Sequence, residues 1–340
     1  MSPMLLHSPI IVITQGVGTW NHWRCKQSAT ASAPQLREAL LIRAELPNIN
    51  LSYVDACLGN FSRANLCKAN LTQAIFYTAN LSQATLDLAE LDDVDMREAN
   101  LRNASLVRVR AQQANFARAD LQGSNLREAI LTQGNFCEAS LIEVDGCMAQ
   151  MASCNLSHAN LQNSLFYTAN LAQATLGQAN LKAADFRETD LTQAVLEEID
   201  GDNTSFARAI LDRARLNGAS LRGADFTMTS LQFATLHQAN LSRACLKNAI
   251  LNQASMVGAT LAEANLENAN FQGANLSGAN LSRANFHGAC LMGANLSHAN
   301  LSYADLRSVD LSGADLSDTI LTGAHLPLDY TPSGWGCLAA

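Results

Sequence analysis

The stretch ANLSGANLSRANFHGACLMGANLSHANL, residues 274–301, places a Leu or Phe at every fifth position. The same spacing runs from 56 to 326, where 48 of 55 such centres are Leu or Phe and 40 of 55 positions two residues earlier are Ala. Asn or Asp commonly precedes the centre, so the unit reads Ala-(Asn/Asp)-(Leu/Phe)-x-x. Neither the 3.6-residue period of an α-helix nor the two-residue period of a strand explains a spacing of five.

A closed coil of short sides explains the unit. A large and a small apolar residue, two apart, point the same way when the backbone between them is extended. The three other positions are polar and point outward, and the chain turns a corner after each side. Stacked coils satisfy their backbone N–H and C=O groups against the coils above and below, at the strand spacing of about 4.8 Å. The register has to be unbroken, because a slip of one residue would turn each Leu outward.

These units resemble the A(D/N)LXX repeats of the pentapeptide-repeat family. The resemblance implies an all-β fold, a right-handed quadrilateral β-helix with four pentapeptides per coil, which gives about 14 coils for residues 51–326. The segment WNHWR, residues 20–24, is similar to the WNxWR lead-in of cyanobacterial-type members. We therefore expect an N-terminal lead-in and cap over 1–50, the β-helix over 51–326 and a C-terminal cap or tail over 327–340.

Both ends of a stacked coil expose unpaired backbone groups, so repeat proteins need caps there. Within the lead-in, the apolar spacing of residues 34–46 fits one or two helical turns or an irregular first coil. Four aromatic residues near the ends are predicted to act as caps rather than as ligand contacts: Trp20, Trp23, Tyr330 and Trp335.

Two centres, Gly146 and Gly201, lack a core side chain altogether. One interpretation is a kink or bulge that re-aims the surface. The other is a small void compensated by larger neighbours such as Val144 and Ile199, and this is the interpretation that we favour.

A duplication is also visible. FYTANLSQATL, residues 76–86, recurs as FYTANLAQATL, residues 166–176, at an offset of 90. Ninety residues are four and a half coils, so the duplicated side chains would fall on opposite faces. We interpret the duplication as growth of the scaffold rather than as a repeated binding surface.

Composition restricts the function. A net charge of −8 argues against nucleic-acid binding, which needs a basic face. No apolar run approaches the length of a membrane span, roughly 18 residues. The apolar segment 9–14 is short and lacks the preceding basic residues of a signal peptide. Nine scattered cysteines without a CxxC pair favour a reducing cytosol over a zinc site, so we expect a cytoplasmic protein without metal or cofactor.

We find no pattern typical of an enzyme. The seven histidines lie mainly at outward positions, and no GxSxG, HExxH or P-loop string occurs. A core filled by Leu and Phe also leaves no natural cleft, whereas small-molecule sites are concave. The sequence therefore predicts no catalytic, cofactor-binding or metal-binding residues.

Charges are unevenly distributed over the four sides. With four pentapeptides per coil, one side of 51–326 carries 8 acidic against 3 basic residues and its neighbour 6 against 2, while the other two carry 8 against 7 and 5 against 6. Two clusters are the candidate partner-binding residues: Glu90, Asp92, Asp93, Asp95 and Glu98, and then Glu197, Glu198, Asp200 and Asp202.

The sequence thus predicts a non-enzymatic, rigid and regulatory scaffold. It would bind a protein partner with a basic surface through its outward polar and acidic faces, as a monomer or a weak end-to-end dimer. The alternative is a DNA mimic acting on DNA gyrase or topoisomerase, as in some members of the resembled family. Nine excess negative charges over two sides are much sparser than the one charge per about 1.7 Å of duplex DNA.

Overall fold

The computed structural model describes residues 8–27 and 33–328. The chain divides into two compact units, Met1–Ser205 and Phe206–Ala340. Each unit is built from the same coil, and each is described here by itself.

Isolated parallel bridges, each joining residues 20 apart, define the coil. They run from Gln35 to Ser205 in the first unit and from Ile210 to His325 in the second. Within the described residues each side is bridged through a single residue, without multi-residue strands. The 20-residue step agrees with four pentapeptides per coil, and the predicted total of about 14 coils stays a prediction.

The backbone hydrogen bonds follow the same step. The N–H of Leu66, a centre, donates to the carbonyl oxygen of Thr85 at 2.7 Å, and the N–H of Thr85 donates to Ala64 at 2.9 Å. Two residues after the centre, Lys68 donates to Asp87 at 2.9 Å. Backbone groups are therefore paired between consecutive coils, as burial of the backbone requires.

Each corner is a tight turn held by the residue before the centre. Ala69 donates its N–H to the carbonyl of Leu66 at 3.0 Å, and Lys68 has a φ of +56°. A positive φ at the third residue of such a turn is typical of type II. The Asn65 side-chain oxygen accepts the N–H of Cys67 at 3.1 Å, which explains why Asn or Asp recurs at this position.

The interior of each unit is filled by the centres and by the small residues two positions earlier, nearly all of them buried. Residues 20 apart lie over one another inside the coil. Phe116 and Phe136 stack with ring centroids 4.9 Å apart and an interplanar angle of 10°, and in the second unit Phe206 and Phe226 stack at 5.0 Å. Offset stacking of this kind adds to the free energy gained by burying the rings.

The coil begins earlier than the predicted boundary at residue 51. The first bridge joins Gln35 to Asp55, and residues 34–46 form coil sides instead of helical turns. The reason is that Leu36, Leu41 and Leu46 already keep the five-residue spacing and are buried like later centres.

Two short helices precede the coil: α1 (Pro9–Thr14) and α2 (Val17–Cys25). α2 lies against the edge of the first coil. Trp20 donates Nε1–H to the carbonyl of Asn50 at 2.6 Å, the side-chain oxygen of Asn21 accepts the N–H of Asn50 at 2.8 Å, and Arg24 donates to the carbonyl of Ser52 at 2.7 Å. These hydrogen bonds replace those that a preceding coil would form on this side.

Among the four aromatic residues assigned to the ends, Trp20 is fully buried and lies 5.1 Å from the Trp23 ring, centroid to centroid. The neighbouring Arg24 is partly buried, and this desolvation lowers the pKa of its guanidinium. Tyr330 and Trp335 lie outside the described residues.

The register continues through Gly146. Its N–H donates to Leu165 at 2.7 Å, and Ala149 closes the turn back to its carbonyl at 3.0 Å. A Cβ placed on Gly146 would lie 2.7 Å from Cδ1 of Phe166. The ring of Phe166, one coil further on, therefore occupies the space in place of the expected Val144. At Gly201, the turn is closed by the N–H of Thr204 at 3.2 Å.

Restoring the usual centre at Gly146 should therefore destabilise the protein. In Gly146→Leu the new side chain collides with the Phe166 ring, and overpacking of this kind costs about 1 to 3 kcal/mol. We expect the free energy of unfolding in urea to fall by that amount. Met151→Leu, at the next centre, is the matched control, with a change below about 1.5 kcal/mol. Equal stability of Gly146→Leu and the native chain would show that Phe166 does not fill the site.

Candidate interaction surface

The first predicted acidic cluster lies around one corner of the first unit. Glu90 precedes the turn Leu91–Val94, Asp92 and Asp93 are the two central residues of this turn, and Asp95 and Glu98 follow it on the next side. The structure therefore places these five carboxylates close along the chain but facing two directions.

Three of the five carboxylates form ion pairs with arginines of the same unit. Asp92 pairs with Arg110 at 2.8 Å and also accepts the N–H of Gln112 at 3.0 Å. Asp95 binds the Arg97 guanidinium through both of its oxygens, at 2.9 and 2.7 Å. Exposed ion pairs of this type contribute little stability, but they cancel charge.

The third, Glu98, pairs with Arg118 at 3.0 Å and accepts the Tyr77 hydroxyl at 3.1 Å. Glu90 and Asp93 are exposed and form no ion pair within residues 8–27 and 33–328, although the amide of Gln73 reaches Asp93 at 3.5 Å. The cluster is therefore less acidic than its sequence suggests.

The ion pair with Arg97 lowers the pKa of the Asp95 carboxyl. Partial burial is the largest single influence and raises its pKa, but the side-chain and backbone hydrogen bonds from Arg97 together outweigh it. The net effect holds the pKa of Asp95 below its usual range, so this carboxylate is a fixed charge that belongs to its arginine.

The second predicted cluster lies near the end of the first unit and also spans a corner. Lys182 pairs with Asp200 at 2.6 Å, and Gln178 donates to Glu198 at 2.9 Å. Glu197 and Asp202 also interact with other groups of the chain. This cluster, like the first, is drawn into contacts between neighbouring coils.

A cluster that sequence reasoning missed surrounds Tyr77. The Arg97 guanidinium lies over the Tyr77 ring, 5.6 Å from its centroid, while the hydroxyl donates to Glu98. The only signal in the sequence is the recurrence of FYTANL. The arginine and glutamate lie one coil further along the chain, so that only the coil register brings them to the tyrosine.

Two buried thiols of the described part, Cys57 and Cys154, are unsuited to nucleophilic chemistry. The eight cysteines of this part are all free. Desolvation is the main cause that raises the pKa of Cys57 to about 11, and burial raises that of Cys154 to about 12. Because the thiolate is the reactive form, these groups are inert at neutral pH. In the same residues no three His, Cys, Asp or Glu side chains are grouped to hold a metal ion.

The comparison with family models agrees with the 20-residue coil. A model described as pentapeptide repeats matches eight copies that together cover more than half of the chain, in residues 60–97, 95–133, 119–145, 214–253, 259–297 and 289–326. This chain belongs to the pentapeptide-repeat family. A second model, described as a pentapeptide repeat region, matches residues 149–226 of this chain. Proteins of this family adopt the right-handed quadrilateral β-helix, which the parallel bridges of both units fit.

Several solved structures resemble this pentapeptide-repeat protein. HetL from the cyanobacterium Nostoc sp. strain PCC 7120, a protein involved in heterocyst differentiation regulation, is 27% identical over 93% of this chain and 98% of its own, with a TM-score of 0.18. QnrB1, a plasmid-mediated fluoroquinolone resistance protein, is 22% identical over 62% of this chain and 90% of its own, with a TM-score of 0.35.

A third, from the Arabidopsis thaliana thylakoid lumen, is 32% identical over 30% of this chain and 61% of its own, with a TM-score of 0.19. A search of curated proteins finds no significant match. Among the helices of residues 8–27 and 33–328, none has the length and apolar character to cross a membrane.

The Asp–Arg pairs of this pentapeptide-repeat protein should make stability depend on pH. Asp305 is held by Arg307 as Asp95 is by Arg97, and the hydrogen bonds from Arg307 are the main cause that lowers the pKa of Asp305 to about 2. A depressed folded pKa stabilises the protein above the unfolded value near 3.8, and this stabilisation is lost as pH falls towards 2.

We therefore expect Asp305→Asn to lower the urea midpoint at pH 7 and to match the native chain near pH 2. Asp318→Asn, which removes a carboxylate that is 76% exposed, should change the midpoint less at pH 7. A difference between Asp305→Asn and the native chain that is the same at pH 7 and pH 2 would contradict the linkage.

Proposed function

We propose that this pentapeptide-repeat protein is a non-enzymatic regulatory scaffold that binds a protein partner through its outward side chains. The single observation that supports this most is that the inward and outward positions of the repeat have separate roles. Inward residues pack, backbone groups pair between coils, and only the outward residues vary in chemistry. Solenoids of this kind present extended surfaces to protein partners.

The acidic corner at Glu90 and Asp93 is the part of the surface that we assign to a basic partner. These two carboxylates are exposed and have no ion pair among the described residues, so their charge is available to another molecule. Their neighbours Asp92 and Asp95 hold the backbone N–H groups of Gln112 and Arg97 and keep the corner in place. Charges at such a site raise the association rate more than the affinity.

A charge-reversal experiment tests this assignment. In the double variant Glu90→Lys, Asp93→Lys, capture of basic proteins from a lysate of the native host should fall about fivefold, because two exposed charges at about 0.5 kcal/mol each contribute about 1 kcal/mol together. Capture by the immobilised chain is quantified by mass spectrometry, and far-ultraviolet circular dichroism checks that the fold is kept.

The matched control is Glu138→Lys, Glu143→Lys. It reverses the same number of exposed carboxylates in the same unit but outside both acidic clusters. If the two double variants capture basic proteins equally, net charge alone matters and the acidic corner has no special role.

The second candidate is a DNA mimic acting on DNA gyrase or topoisomerase. The pairing of Asp92, Asp95 and Glu98 with arginines, and of Asp200 with Lys182, weakens it, because these carboxylates no longer form a continuous negative face. We expect micromolar protein neither to inhibit supercoiling by gyrase nor to protect the enzyme from a quinolone. Either effect would favour the mimic over the scaffold.

We also infer a cytoplasmic location and a monomer or a weak end-to-end dimer. The location is supported by the scattered free thiols, which suit a reducing compartment.

A further inference from the structure

The outward residues on one side of the first unit recur, nearly unchanged, 90 residues further along the chain. The twelve outward residues at 35, 37 and 38, and at the equivalent positions in the next three coils, form four stacked rows around Tyr77. We call them the Tyr77 patch. Ninety residues further along, the corresponding twelve residues form the same rows around Tyr167, the Tyr167 patch.

The two patches share their chemistry far beyond what the repeat requires. Nine of the twelve positions are identical, and the other three are the pairs Gln35 and Asn125, Leu58 and Met148, and Ile75 and Leu165. On the other three sides of the same stretch, only 5 of 27 outward positions are identical at the same offset. The duplication has therefore been retained on one side and has diverged on the other three. This selective retention revises the interpretation from the sequence, in which the duplication records only growth of the scaffold.

The contacts are duplicated together with the residues. The Tyr77 hydroxyl donates to Glu98 at 3.1 Å, and the Tyr167 hydroxyl donates to Glu188 at 3.0 Å. Each ring is covered by an arginine, at 5.6 Å in the Tyr77 patch and at 5.8 Å in the Tyr167 patch. Each of these arginines binds the aspartate two residues before it. A second ion pair also recurs: Arg37 pairs with Asp55 in the Tyr77 patch and Arg127 pairs with Asp145 in the Tyr167 patch, each at 3.2 Å.

Both patches also keep the same strained residue. Thr78 and Thr168 occupy turn positions with φ of +53° and +55°. They are the only β-branched residues at such positions in the described part of the chain, where glycine and side chains unbranched at Cβ otherwise occur. β-Branched residues with positive φ are true outliers, and strain of this kind concentrates at functional sites. Thr78 follows Tyr77 directly and donates its hydroxyl to the Tyr77 carbonyl at 2.7 Å.

The centre of each patch exposes apolar surface. In the Tyr77 patch Leu58, Ile75 and Tyr77 are 53%, 40% and 37% exposed, and in the Tyr167 patch their counterparts are 40%, 45% and 40% exposed. Around this apolar surface each patch has four carboxylates and two guanidiniums. One more guanidinium pairs with each patch from an adjacent row, Arg118 with Glu98 and Arg108 with Glu128, which leaves a net charge of −1. A partner that fits has an apolar side chain flanked by lysine or arginine. A second copy of this chain would bring one net negative patch against another and fits less well.

We propose that the Tyr77 and Tyr167 patches are two equivalent docking sites for two copies of one partner segment, an apolar residue flanked by basic residues. The proposal rests on the scaffold function given above and adds its stoichiometry. Ninety residues are four and a half coils, so the two patches face opposite sides of the first unit and are displaced by about 22 Å along it. One short segment cannot reach both.

The test uses a random dodecapeptide library displayed on phage and selected on the full chain. The enriched peptide is then synthesised and titrated by calorimetry. We expect a basic and apolar consensus that binds with two sites per chain. Tyr77→Ala and Tyr167→Ala should each leave one site of unchanged affinity, and the double variant should leave none. Both tyrosines point outward, and unchanged melting temperatures confirm that the variants are folded.

Ile75→Lys and Leu165→Lys form an independent pair that should give the same site counts. Tyr53→Ala is the matched control, because Tyr53 is 56% exposed on another side and its counterpart in the duplication is Glu143. This variant should keep both sites.

Four outcomes would overturn the proposal. A single site per chain, or two sites that the tyrosine variants leave unchanged, would reject the docking sites while the scaffold function stands. Loss of binding only in Glu90→Lys, Asp93→Lys would assign the partner to the acidic corner instead. Selection of no peptide would count against both the docking sites and the scaffold function.

Discussion

The hydrogen-bond ladder between consecutive coils is the constraint on which the rest of the structure depends. Within each unit, centres donate their N–H groups to carbonyls of the next coil, as Leu66 does to Thr85, so consecutive coils must contain the same number of residues. An inserted residue would break the ladder for one coil and turn the following Leu outward. The uninterrupted five-residue spacing, the buried Leu and Ala and the Asn or Asp at each corner all follow from keeping this ladder intact.

The turn that serves this ladder also limits the surface chemistry. Its third residue has positive φ, which glycine adopts without strain, and glycine occupies it at 278, 288 and 293. In the first unit the same position mostly carries Gln, Arg, Glu or Asn, and these residues accept the strain and project polar groups outward. A regular stretch such as 274–301 thus favours stability, and the first unit favours chemical variety. Thr78 and Thr168 are the extreme case, because a β-branched side chain fits this turn worst.

Sequence reasoning reached the fold because one period specifies both the inward residues and the corner. It placed the start of the coil late, since the apolar spacing of residues 34–46 also fits one or two helical turns until the bridge from Gln35 to Asp55 is known. It could not see that Phe166 fills the space at Gly146, since that contact depends on ring orientation. Counting charges by side predicts where the acids concentrate, but the pairing of Asp92 with Arg110 depends on distances that no spacing supplies.

The half-coil in the 90-residue offset has a steric consequence for any scaffold that carries two copies of a site. An offset of four or five whole coils would place both copies on the same side, about 19 or 24 Å apart. A partner domain of about 100 residues has a radius of gyration of about 13 Å, so its diameter exceeds about 26 Å and two such domains would collide. The observed offset turns the second patch to the opposite side, where a domain bound at the Tyr77 patch leaves the Tyr167 patch open. Growth by four and a half coils therefore yields two sites that can be occupied together, which growth by whole coils over a similar length cannot do.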